Sequence, residues 1–423
     1  MKKTLSQSQL NTLLDSMRLI NSTLDLDELL EIIMKEITDN LEADRGTLYI
    51  VDHQKKEIWS KIAQGDKKLV IRQKIGKGIS GHVAKTGKSL NIKDAYSDPR
   101  FNPEVDKKSG YRTRSILCVP VFDKVNQVIA VLQILNKTNG HFTAEDLTFT
   151  AVFADYISLA IQNAQLYQEA LERKRLENEI AVASEIQKML LPAHLPQLNN
   201  YEIFAFQQPS RYIGGDYYDF FPEGEELFFI LADVAGKGTP AALLMANLQA
   251  AFHNLVGKNR NNIELISLIN KHLYSVTPPD KYATLVWGEL NTADHELNYV
   301  IAGHLPPLRF TPDGKLTKVT ELSPSSIPVG LLPQFDFQQG SVHLAPSELV
   351  LFCSDGITEA QNRKDEMFET SRLIRIVKRN MNKPIDHIGN IILRKVREFT
   401  EGGVYEDDIT LLMIRRKSDL HLP

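Results

Sequence analysis

The sequence predicts an α+β protein built from two domains. In the first part, helical spacing of apolar residues encloses a series of short strand-like runs, which predicts helices around an antiparallel sheet. In the second part, strand-like runs fall into two groups with helical stretches between them, which predicts a β-sandwich covered by helices. A chain of 423 residues has room for two or three domains, at about 150 residues each.

The first domain is expected at residues 1–165. Apolar residues recur at helical spacing over residues 10–24 and again over 29–41, so two helices are expected to open the chain. The runs TLYIVD, KEIWSKIA, SILCVPVFD and VIAVLQILN then predict antiparallel strands. Helical spacing returns after Phe142 and predicts a closing helix.

Residues 166–191 are expected to form a helical linker, because they are highly charged and contain no Gly or Pro. A four-three alternation of mostly apolar positions favours a short coiled-coil seam in a homodimer, and a monomeric helix packed on its neighbours is the alternative. The alternating positions are Leu176, Ile180, Ala183, Gln187 and Leu190. Pro192 and Pro196 end the helix, so the second domain is expected at residues 192–423.

The overall composition excludes several kinds of partner. The net charge is only −4, from 49 basic and 53 acidic residues, so no global field favours nucleic acid or an anionic membrane. The sequence offers neither an apolar stretch long enough to span a bilayer nor a signal peptide, so a cytoplasmic protein is expected. Cys118 and Cys353 lie in apolar runs, which predicts buried thiols rather than a disulfide.

The second domain is expected to contain many strands and two strong helical stretches, 241–256 and 371–399. Its strand-like runs are ELFFILADV, YATLVWGEL, HELNYVIAG, SELVLFCSDG and DDITLLMIRR. The first of these runs into Asp233 and a glycine-containing turn, after which Thr239 is expected to be the N-cap and Pro240 the first helical residue.

Four acidic clusters at strand ends predict a metal site. Asp216 stands in IGGDYYDFF, Asp233 ends a strand, Asp355 follows ELVLFCS, and Asp407 and Asp408 precede ITLLMI. A lone aspartate of this kind would be a turn or cap residue, but four that converge at one pole would need cations. Carboxylate oxygens are hard ligands, so Mg²⁺ or Mn²⁺ is expected rather than zinc. Two such ions would support hydrolysis of a phosphate ester.

Six motifs carry a family resemblance over nearly the whole region from EIQKMLLP to the end. In order, they are GGDYYDFF, ADVAGKGTPAALLMA, YATLVWGEL, AGHLPPL, LFCSDGITEA and EDDITLLMIR. They resemble the bacterial branch of the PPM, or type 2C, protein phosphatases, of the SpoIIE and RsbU kind. The resemblance implies an α-β-β-α sandwich that hydrolyses phosphoserine or phosphothreonine with two metal ions.

The resemblance also implies roles for single residues. Asp233 would bridge both ions, with the Val234 backbone carbonyl as a further ligand, and Asp355 and Asp407 would be the remaining direct ligands. Asp216 would reach an ion through water or support a third one. Asp408 would stand behind the direct ligands, although an offset of one residue between Asp407 and Asp408 remains open.

The sequence departs from the eukaryotic branch of this family at the general acid. The histidine expected two residues after the bridging aspartate is Ala235 here, so water is the candidate proton donor. His304 in AGHLPP is expected to satisfy backbone groups rather than to act as an acid. Lys237 and Arg211 could contact phosphate, but a solvated surface charge is the expected role of both.

Residues 20–165 resemble a GAF domain, on the basis of LDLDELLEIIMKEITDNL, RGTLYIVD, KEIWSKIA, the segment from IGKGISGHVAK to SILCVPV, and VIAVLQILNK. A subset of such domains binds cyclic nucleotides. The signature of that subset matches at Asn136, Lys137, Phe142 and Asp146, and fails at Leu147, where Glu is expected. A cyclic nucleotide is therefore one candidate ligand, and a domain without ligand that dimerises or binds a partner is the alternative.

The expected function is that of a sensor-regulated protein phosphatase. The resemblance implies a phosphorylated anti-sigma factor antagonist with a STAS domain as substrate. A catalytically dead scaffold is the second hypothesis, and the retained acidic set argues against it. A cyclic-nucleotide phosphodiesterase is the third, and the absence of a multi-histidine motif in the sequence argues against it.

Overall fold

The computed structural model describes residues 25–64, 70–257, 261–278, 280–314, 316–402 and 405–418. The chain divides into two compact units, Met1–Arg175 and Leu176–Pro423. The division falls inside one helix, Ala144–Met189. The domain limits at residues 165 and 191 remain predictions.

The first unit contains one six-stranded antiparallel sheet in the order β3-β2-β1-β6-β5-β4. Its elements are α1 (Leu26–Asn40), β1 (Ala43–Asp52), β2 (Glu57–Ala63), β3 (Arg72–Lys74), α2 (Gly78–Thr86), β4 (Leu90–Ile92), a 3-10 turn (Ala95–Ser97), α3 (Glu104–Ser109), β5 (Ile116–Phe122), β6 (Val128–Lys137) and α4 (Ala144–Met189). The predicted strands are confirmed.

Helix α1 forms because Asp25 caps its N-terminus and apolar residues repeat along one face. The Asp25 carboxylate accepts hydrogen bonds from the backbone N–H groups of Asp27 and Glu28. Leu30 and Ile33 are buried with residues of α4 in one core on the sheet. The other expected opening helix, over residues 10–24, lies outside the described residues.

The second unit contains two antiparallel sheets and flanking helices. Its elements are β7 (Tyr201–Gln208), β8 (Tyr217–Glu223), β9 (Glu226–Val234), α5 (Thr239–Leu255), α6 (Asn262–Val276), β10 (Ala283–Asn291), β11 (Glu296–Ala302), β12 (Leu308–Asp313), β13 (Leu316–Glu321), β14 (Ser325–Ser326), β15 (Gln339–His343), β16 (Leu349–Cys353), α7 (Asp355–Thr358), α8 (Glu369–Asn380), α9 (Ile385–Phe399) and β17 (Ile409–Arg416).

The two sheets pack face to face with helices on both outer sides. One sheet has the order β14-β11-β10-β9-β8, with β15 also paired to β11, and the other has the order β13-β12-β16-β17-β7. Side chains from both sheets, such as Phe229 and Phe352, form the central core. Helices α5 and α6 cover the first sheet, and α8 and α9 cover the second. The predicted α-β-β-α sandwich is confirmed.

Three local predictions in this unit need correction. Helix α5 begins at Thr239, and its N-cap is Gly238 with φ +74°, a conformation that favours glycine. The stretch 371–399 is not one helical stretch, because it breaks between α8 and α9 and Pro384 caps the second helix. Helix α6 was not expected at all, although Asn261 caps it.

Both Cys118 and Cys353 are buried free thiols. In the described residues, no helix is both long enough and apolar enough to cross a membrane.

Candidate metal centre

The acidic residues reach one place because both sheets end there. Asp216 directly precedes β8, Asp233 is the penultimate residue of β9, and Tyr217 of β8 pairs with Ala232 of β9. From the other sheet, Asp355 follows β16 and opens α7, while Asp407 and Asp408 precede β17. These two strands are also paired, with Cys353 opposite Leu411.

Ser354 links the turn after β16 to the start of β17 through hydrogen bonds. This residue is fully buried. Its hydroxyl donates to the backbone carbonyl of Asp408 at 3.0 Å and accepts from the N–H of Thr410 at 2.9 Å. The start of the Asp355 turn is therefore fixed against the segment that carries Asp407.

The electrostatics show that the carboxyls share one environment. Burial, followed by the negative charges of Asp355, Asp407 and Asp408, raises the pKa of Asp233 to about 7. Burial raises the pKa of Asp355 above its usual range, and the charge of Asp407 adds to the effect. Asp233 and Asp355 therefore resist ionisation, first because they are buried and then because other acids lie close to them.

Asp216 is the most deeply buried member of the set, with 1% of its surface exposed. Its pKa is raised well above the usual range by burial and then by the charges of Asp233 and Asp408. The Thr410 hydroxyl donates a hydrogen bond to its Oδ2 atom. Asp216 thus lies between Asp233 and the β17 strand.

Asp408 has a different environment from its neighbour Asp407. Its Oδ1 accepts from the N–H of Ser210 at 2.8 Å, and its Oδ2 accepts from the N–H of Gly215 at 2.6 Å. The Asp408 carboxylate is therefore occupied in folding the loop that leads to Asp216. This geometry suits the supporting position expected for Asp408 and leaves Asp407 as the candidate ligand.

The donor set suits a hard divalent cation. It consists of aspartate carboxylates and the backbone carbonyl of Val234, and crowded carboxylates need positive charge if all are to ionise. As the side chains stand in the described part of the chain, no group of three or more His, Cys, Asp or Glu residues forms a ready metal-binding cluster. The ligand assignments of Asp216, Asp233, Val234, Asp355, Asp407 and Asp408 therefore remain predictions.

Known families match both parts of the chain. The family described as Stage II sporulation protein E (SpoIIE) matches residues 223–417, and the GAF domain matches residues 25–161. The chain is a GAF domain joined to a SpoIIE-family domain. The resemblance that the motifs carried is thus confirmed. The SpoIIE match includes Asp233, Asp355 and Asp407, whereas Asp216 lies just before it.

Individual relatives share different parts of the chain. Phosphoserine phosphatase RsbU of Bacillus subtilis (strain 168) is 27% identical over 248 residues, which covers 58% of this chain and 72% of RsbU. The probable 3',5'-cyclic phosphodiesterase pde-5 of Caenorhabditis elegans is 38% identical over 189 residues, which covers 42% of this chain but only 25% of the phosphodiesterase.

A solved structure supports the fold of the SpoIIE-family domain. The SiaA-PP2C domain of Pseudomonas aeruginosa matches with a TM-score of 0.51 and 20% identity. The match covers 58% of this chain and 99% of that domain. At this identity the likeness concerns the fold alone.

Lys237 brings a positive charge to the acidic residues. It lies in the turn between β9 and α5, and its Nζ is 2.9 Å from Asp407 Oδ2. The same Nζ donates to the backbone carbonyl of Glu406 at 2.6 Å. Lys237 and Arg211 are both exposed, as expected for surface charges, although Lys237 also forms this ion pair.

His304 joins the two sheets of this domain. Its Nδ1 accepts a hydrogen bond from the Thr284 hydroxyl at 2.8 Å, and its Nε2 donates to the Cys353 carbonyl at 3.2 Å. Burial lowers the pKa of His304 to about 4, so the ring is neutral near pH 7. Both nitrogens are occupied, and His304 has the structural position that the sequence predicted.

The signature residues of the GAF domain hold its backbone in place. Asn136 Oδ1 accepts from the N–H of Arg114, and its Nδ2 donates to the Tyr111 hydroxyl and the Arg112 carbonyl. Lys137 Nζ lies 2.6 Å from Asp146 Oδ2. These contacts fix the segment before β5 and the start of α4.

The GAF domain encloses a cavity of about 390 Å³. Asn136, Lys137, Phe142 and Asp146 are not among the described residues that line it. The lining residues include two charged groups, Arg45 and the buried Asp106. Aromatic rings, amides and hydroxyls also line it: Tyr49, Phe101, Tyr111, Gln64, Gln73, Gln133, Thr47, Ser80 and Thr113. The cavity lining could not be predicted from local sequence patterns, since its residues come from many different elements of the domain.

Proposed function

We propose that the SpoIIE-family domain is a metal-dependent phosphoserine and phosphothreonine protein phosphatase. The observation that carries the proposal is the mutual elevation of carboxyl pKa values around Asp233 by burial and by neighbouring acids. Structural aspartates are normally paired with cations or amides, whereas the charges that act on Asp233 and Asp216 are those of other acids. The similarity to RsbU, which is described as a phosphoserine phosphatase, supports the same activity.

The residues of the proposed metal site would have different roles. Asp233, the Val234 carbonyl, Asp355 and Asp407 would hold two ions, Mn²⁺ or Mg²⁺, and Asp216 would support them from its buried position. When bound, such ions supply Lewis acidity and positive charge at the phosphoryl oxygens. Asp408 holds the loop before Asp216 through backbone N–H groups.

The departing serine or threonine oxygen needs a proton. Neither Ala235 nor His304 can donate it, because Ala235 has no ionisable group and both ring nitrogens of His304 are occupied. Solvent water is therefore the proposed donor. Lys237, at 2.9 Å from Asp407, lies where its ammonium group could also contact a phosphoryl oxygen.

The test is Mn²⁺-dependent hydrolysis of p-nitrophenyl phosphate by the full chain. Asp233→Ala should lower the rate by more than about a hundredfold, since metal Lewis acidity is worth several kcal/mol. Excess Mn²⁺ should not restore it. Asp216→Ala should reduce the rate while part of the metal binding remains. Asp386→Ala, an exposed aspartate in the first turn of α9, is the control and should keep the wild-type rate.

A folded wild-type protein without any Mn²⁺-dependent rate would identify the domain as a binding scaffold and would refute the enzyme assignment. The proposed natural substrate, by family resemblance, is a phosphorylated STAS-type anti-sigma factor antagonist. Release of phosphate from such a phosphoprotein, in preference to a denatured phosphoprotein, would support this choice. Equal rates on both would argue against it.

A second proposal concerns the GAF cavity, which we infer to bind a small regulatory ligand. Arg45 is the only cationic side chain among the described lining residues, and its guanidinium carbon lies 4.2 Å from the centre of the Tyr111 ring. A cyclic nucleotide offers a planar base for the aromatic and amide groups and one negative charge for Arg45. Titration calorimetry with cyclic AMP and cyclic GMP tests this, and Arg45→Met should weaken any binding about tenfold.

The homodimer also remains a proposal. Leu166, Leu176, Val182 and Ile186 are exposed on helix α4, with between 57% and 59% of each side chain accessible. Leu176 belongs to the predicted coiled-coil seam, and Val182 and Ile186 lie beside that seam, so a second copy packed on this side of the helix would cover Leu176. Light scattering over a range of protein concentrations tests it, and a monomer at every concentration would refute it.

A further inference from the structure

The last turn of helix α4 carries a side chain that binds one residue twice. The Gln187 Nε2 donates to the backbone carbonyl of Gly214 at 2.7 Å, and the N–H of Gly214 donates to Gln187 Oε1 at 3.1 Å. Both backbone groups of the buried Gly214 are thereby satisfied by one amide side chain. Among uncharged side chains, only an amide offers a donor and an acceptor side by side in this way.

The loop that contains Gly214 has little freedom in other directions. A Cβ atom on Gly214 would lie 2.1 Å from Asp408 Oδ2, and one on Gly215 would lie 2.9 Å from the Val234 carbonyl oxygen. The glycines are therefore required by close approach to two of the groups at the acidic site. The loop is held between Asp408, Val234 and the side chain of Gln187.

The hydrophobic contacts at the end of α4 keep Gln187 in position. Leu190 and Leu191 follow within one turn, and both pack against the core clusters of the sandwich. Gln187 itself is only partly exposed. The prediction that Gln187 belongs to a dimer seam is therefore not supported by the direction of its side chain, which faces Gly214.

We propose that Gln187 is a positioning residue for Asp216. Gly214 is two residues from Asp216, and the N–H groups of Gly215 and Asp216 both point to Asp408 Oδ2, at 2.6 Å and 3.4 Å. The Gln187 amide fixes the start of this segment, and Asp408 fixes its continuation. Together they direct the Asp216 carboxyl towards Asp233. The functional consequence rests on the proposed phosphatase activity, whereas the positioning itself does not.

The primary test measures amide hydrogen exchange in the metal-free full-length protein. Gln187→Met removes both hydrogen bonds at similar side-chain length, and exchange of the Gly214, Gly215 and Asp216 amides should become about tenfold faster. Gln187→Glu keeps the acceptor for the Gly214 N–H but loses the donor, so an intermediate effect is expected. Gln168→Met, on the exposed part of the same helix, is the matched control and should change nothing.

The second measurement is the affinity for Mn²⁺ alone by titration calorimetry. Gln187→Met should weaken the tightest Mn²⁺ site about threefold to tenfold, with partial recovery in Gln187→Glu. Unchanged exchange at Gly214–Asp216 in a folded Gln187→Met protein would overturn the inference. So would a change of oligomeric state without faster exchange, because it would return Gln187 to the dimer seam.

The amide-exchange and phosphate-hydrolysis measurements can fail independently, so they distinguish this inference from the proposed function. Faster exchange in Gln187→Met together with an inactive wild-type protein would uphold the positioning and refute the phosphatase. If Gln187→Met does not fold, Gln187→Glu decides alone, and wild-type exchange in that variant would overturn the inference.

Discussion

The ammonium group of Lys237 lies 2.9 Å from the Oδ2 atom of Asp407. The pair joins the turn after β9 to the segment before β17, so it connects the acid-bearing ends of the two sheets. Both side chains are partly exposed, at 44% and 40%. Such an ion pair contributes little stability, because solvent screens it. Its main consequence is that a lysine occupies one of the candidate metal ligands.

Replacement of this lysine should therefore favour metal binding. In Lys237→Met, Asp407 loses its ammonium partner and the site gains one unit of negative charge. We expect Mn²⁺ to bind up to about fivefold more tightly, with a smaller effect at high salt. Titration calorimetry at two salt concentrations measures this, with the exposed Lys378→Met as control. Weaker binding in Lys237→Met would mean that the lysine supports the site rather than competes for it.

A pH dependence follows from the raised pKa of Asp233. The folded protein keeps the Asp233 proton up to about pH 7, whereas an unfolded aspartate loses it near its ordinary pKa of 3.8. Between these values the folded state binds more protons, so the stability of the metal-free protein should fall as pH rises from about 4 to about 7. The raised pKa values of Asp216 and Asp355 act in the same direction.

Calorimetric melting in EDTA across this pH range measures the effect. The melting temperature of the SpoIIE-family domain should be lower at pH 7.5 than at pH 5. Asp233→Asn should remove a large part of the slope, and Asp386→Asn should leave it unchanged. A melting temperature that rises with pH in EDTA would contradict the clustered arrangement of these carboxyls.

Mn²⁺ should stabilise the two domains unequally. Cations allow the crowded carboxylates to ionise together, so saturating Mn²⁺ should raise the stability of the SpoIIE-family domain by about 3 kcal/mol at a concentration a hundred times the dissociation constant. The GAF domain has no reason to respond. Hydrogen exchange of both domains in the full chain, with Mn²⁺ and with EDTA, distinguishes them, and equal protection would count against a localised metal site.

Asn136 should be important for the stability of the GAF domain. Its side chain forms hydrogen bonds to the backbone before β5 and to Tyr111, and its own φ is +56°. Asn136→Ala leaves buried groups without partners and adds backbone strain, so a loss of about 2–4 kcal/mol is expected. Asn136→Gly should lose less, because glycine accepts the positive φ.

Thermal melting of the GAF transition checks the order of these variants. The exposed Asn139→Ala is the control, since its amide donates to Glu42 at the surface. If Asn136→Gly proved as unstable as Asn136→Ala, backbone strain would have no part in the effect. If neither variant differed from the wild type, the hydrogen bonds of Asn136 would not stabilise the domain.

Local patterns were sufficient to predict the architecture and to place the acidic residues at the ends of strands. Continuous apolar runs identified the strand that contains Asp233 and the strand before Asp355, because apolar runs and turn residues are local properties. The order of six motifs then indicated the sandwich. Helix α6 was missed although Asn261 caps it, and the break at Pro384 was read as continuous helix. At Pro384 the helix-ending signal was outweighed by the apolar pattern on both sides of it. Helix α6 had no such competing pattern, because its buried residues Leu265, Ile269 and Leu273 follow helical spacing.

The contacts that shape the site could not be predicted in the same way. Asp408 binds the N–H of Gly215, and Gln187 binds both backbone groups of Gly214. Such bonds join a side chain to a backbone segment far away in sequence, so neither partner shows a periodic or compositional signal. Gln187 also fitted the four-three alternation of a coiled coil, and only the structure distinguishes the two interpretations.

The last prediction concerns regulation through helix α4. This helix is continuous from Ala144 to Met189, and it carries the closing face of the GAF core near one end and Gln187 near the other. A ligand of the GAF domain could shift the population between two helix arrangements, but only as far as it prefers one of them. Ala170→Pro removes a backbone donor and kinks the helix, so it should uncouple the two parts. Ala144→Pro is the matched control, because proline is tolerated in the first turn of a helix, where Ala144 stands.

The measurement is the p-nitrophenyl phosphate rate of the full chain and both variants, with and without cyclic AMP or cyclic GMP, over a range of protein concentrations. We expect the nucleotide and concentration dependence of the wild type to persist in Ala144→Pro and to disappear in Ala170→Pro. If all three proteins show the same rate under every condition, the helix is a passive tether and the regulatory hypothesis is wrong.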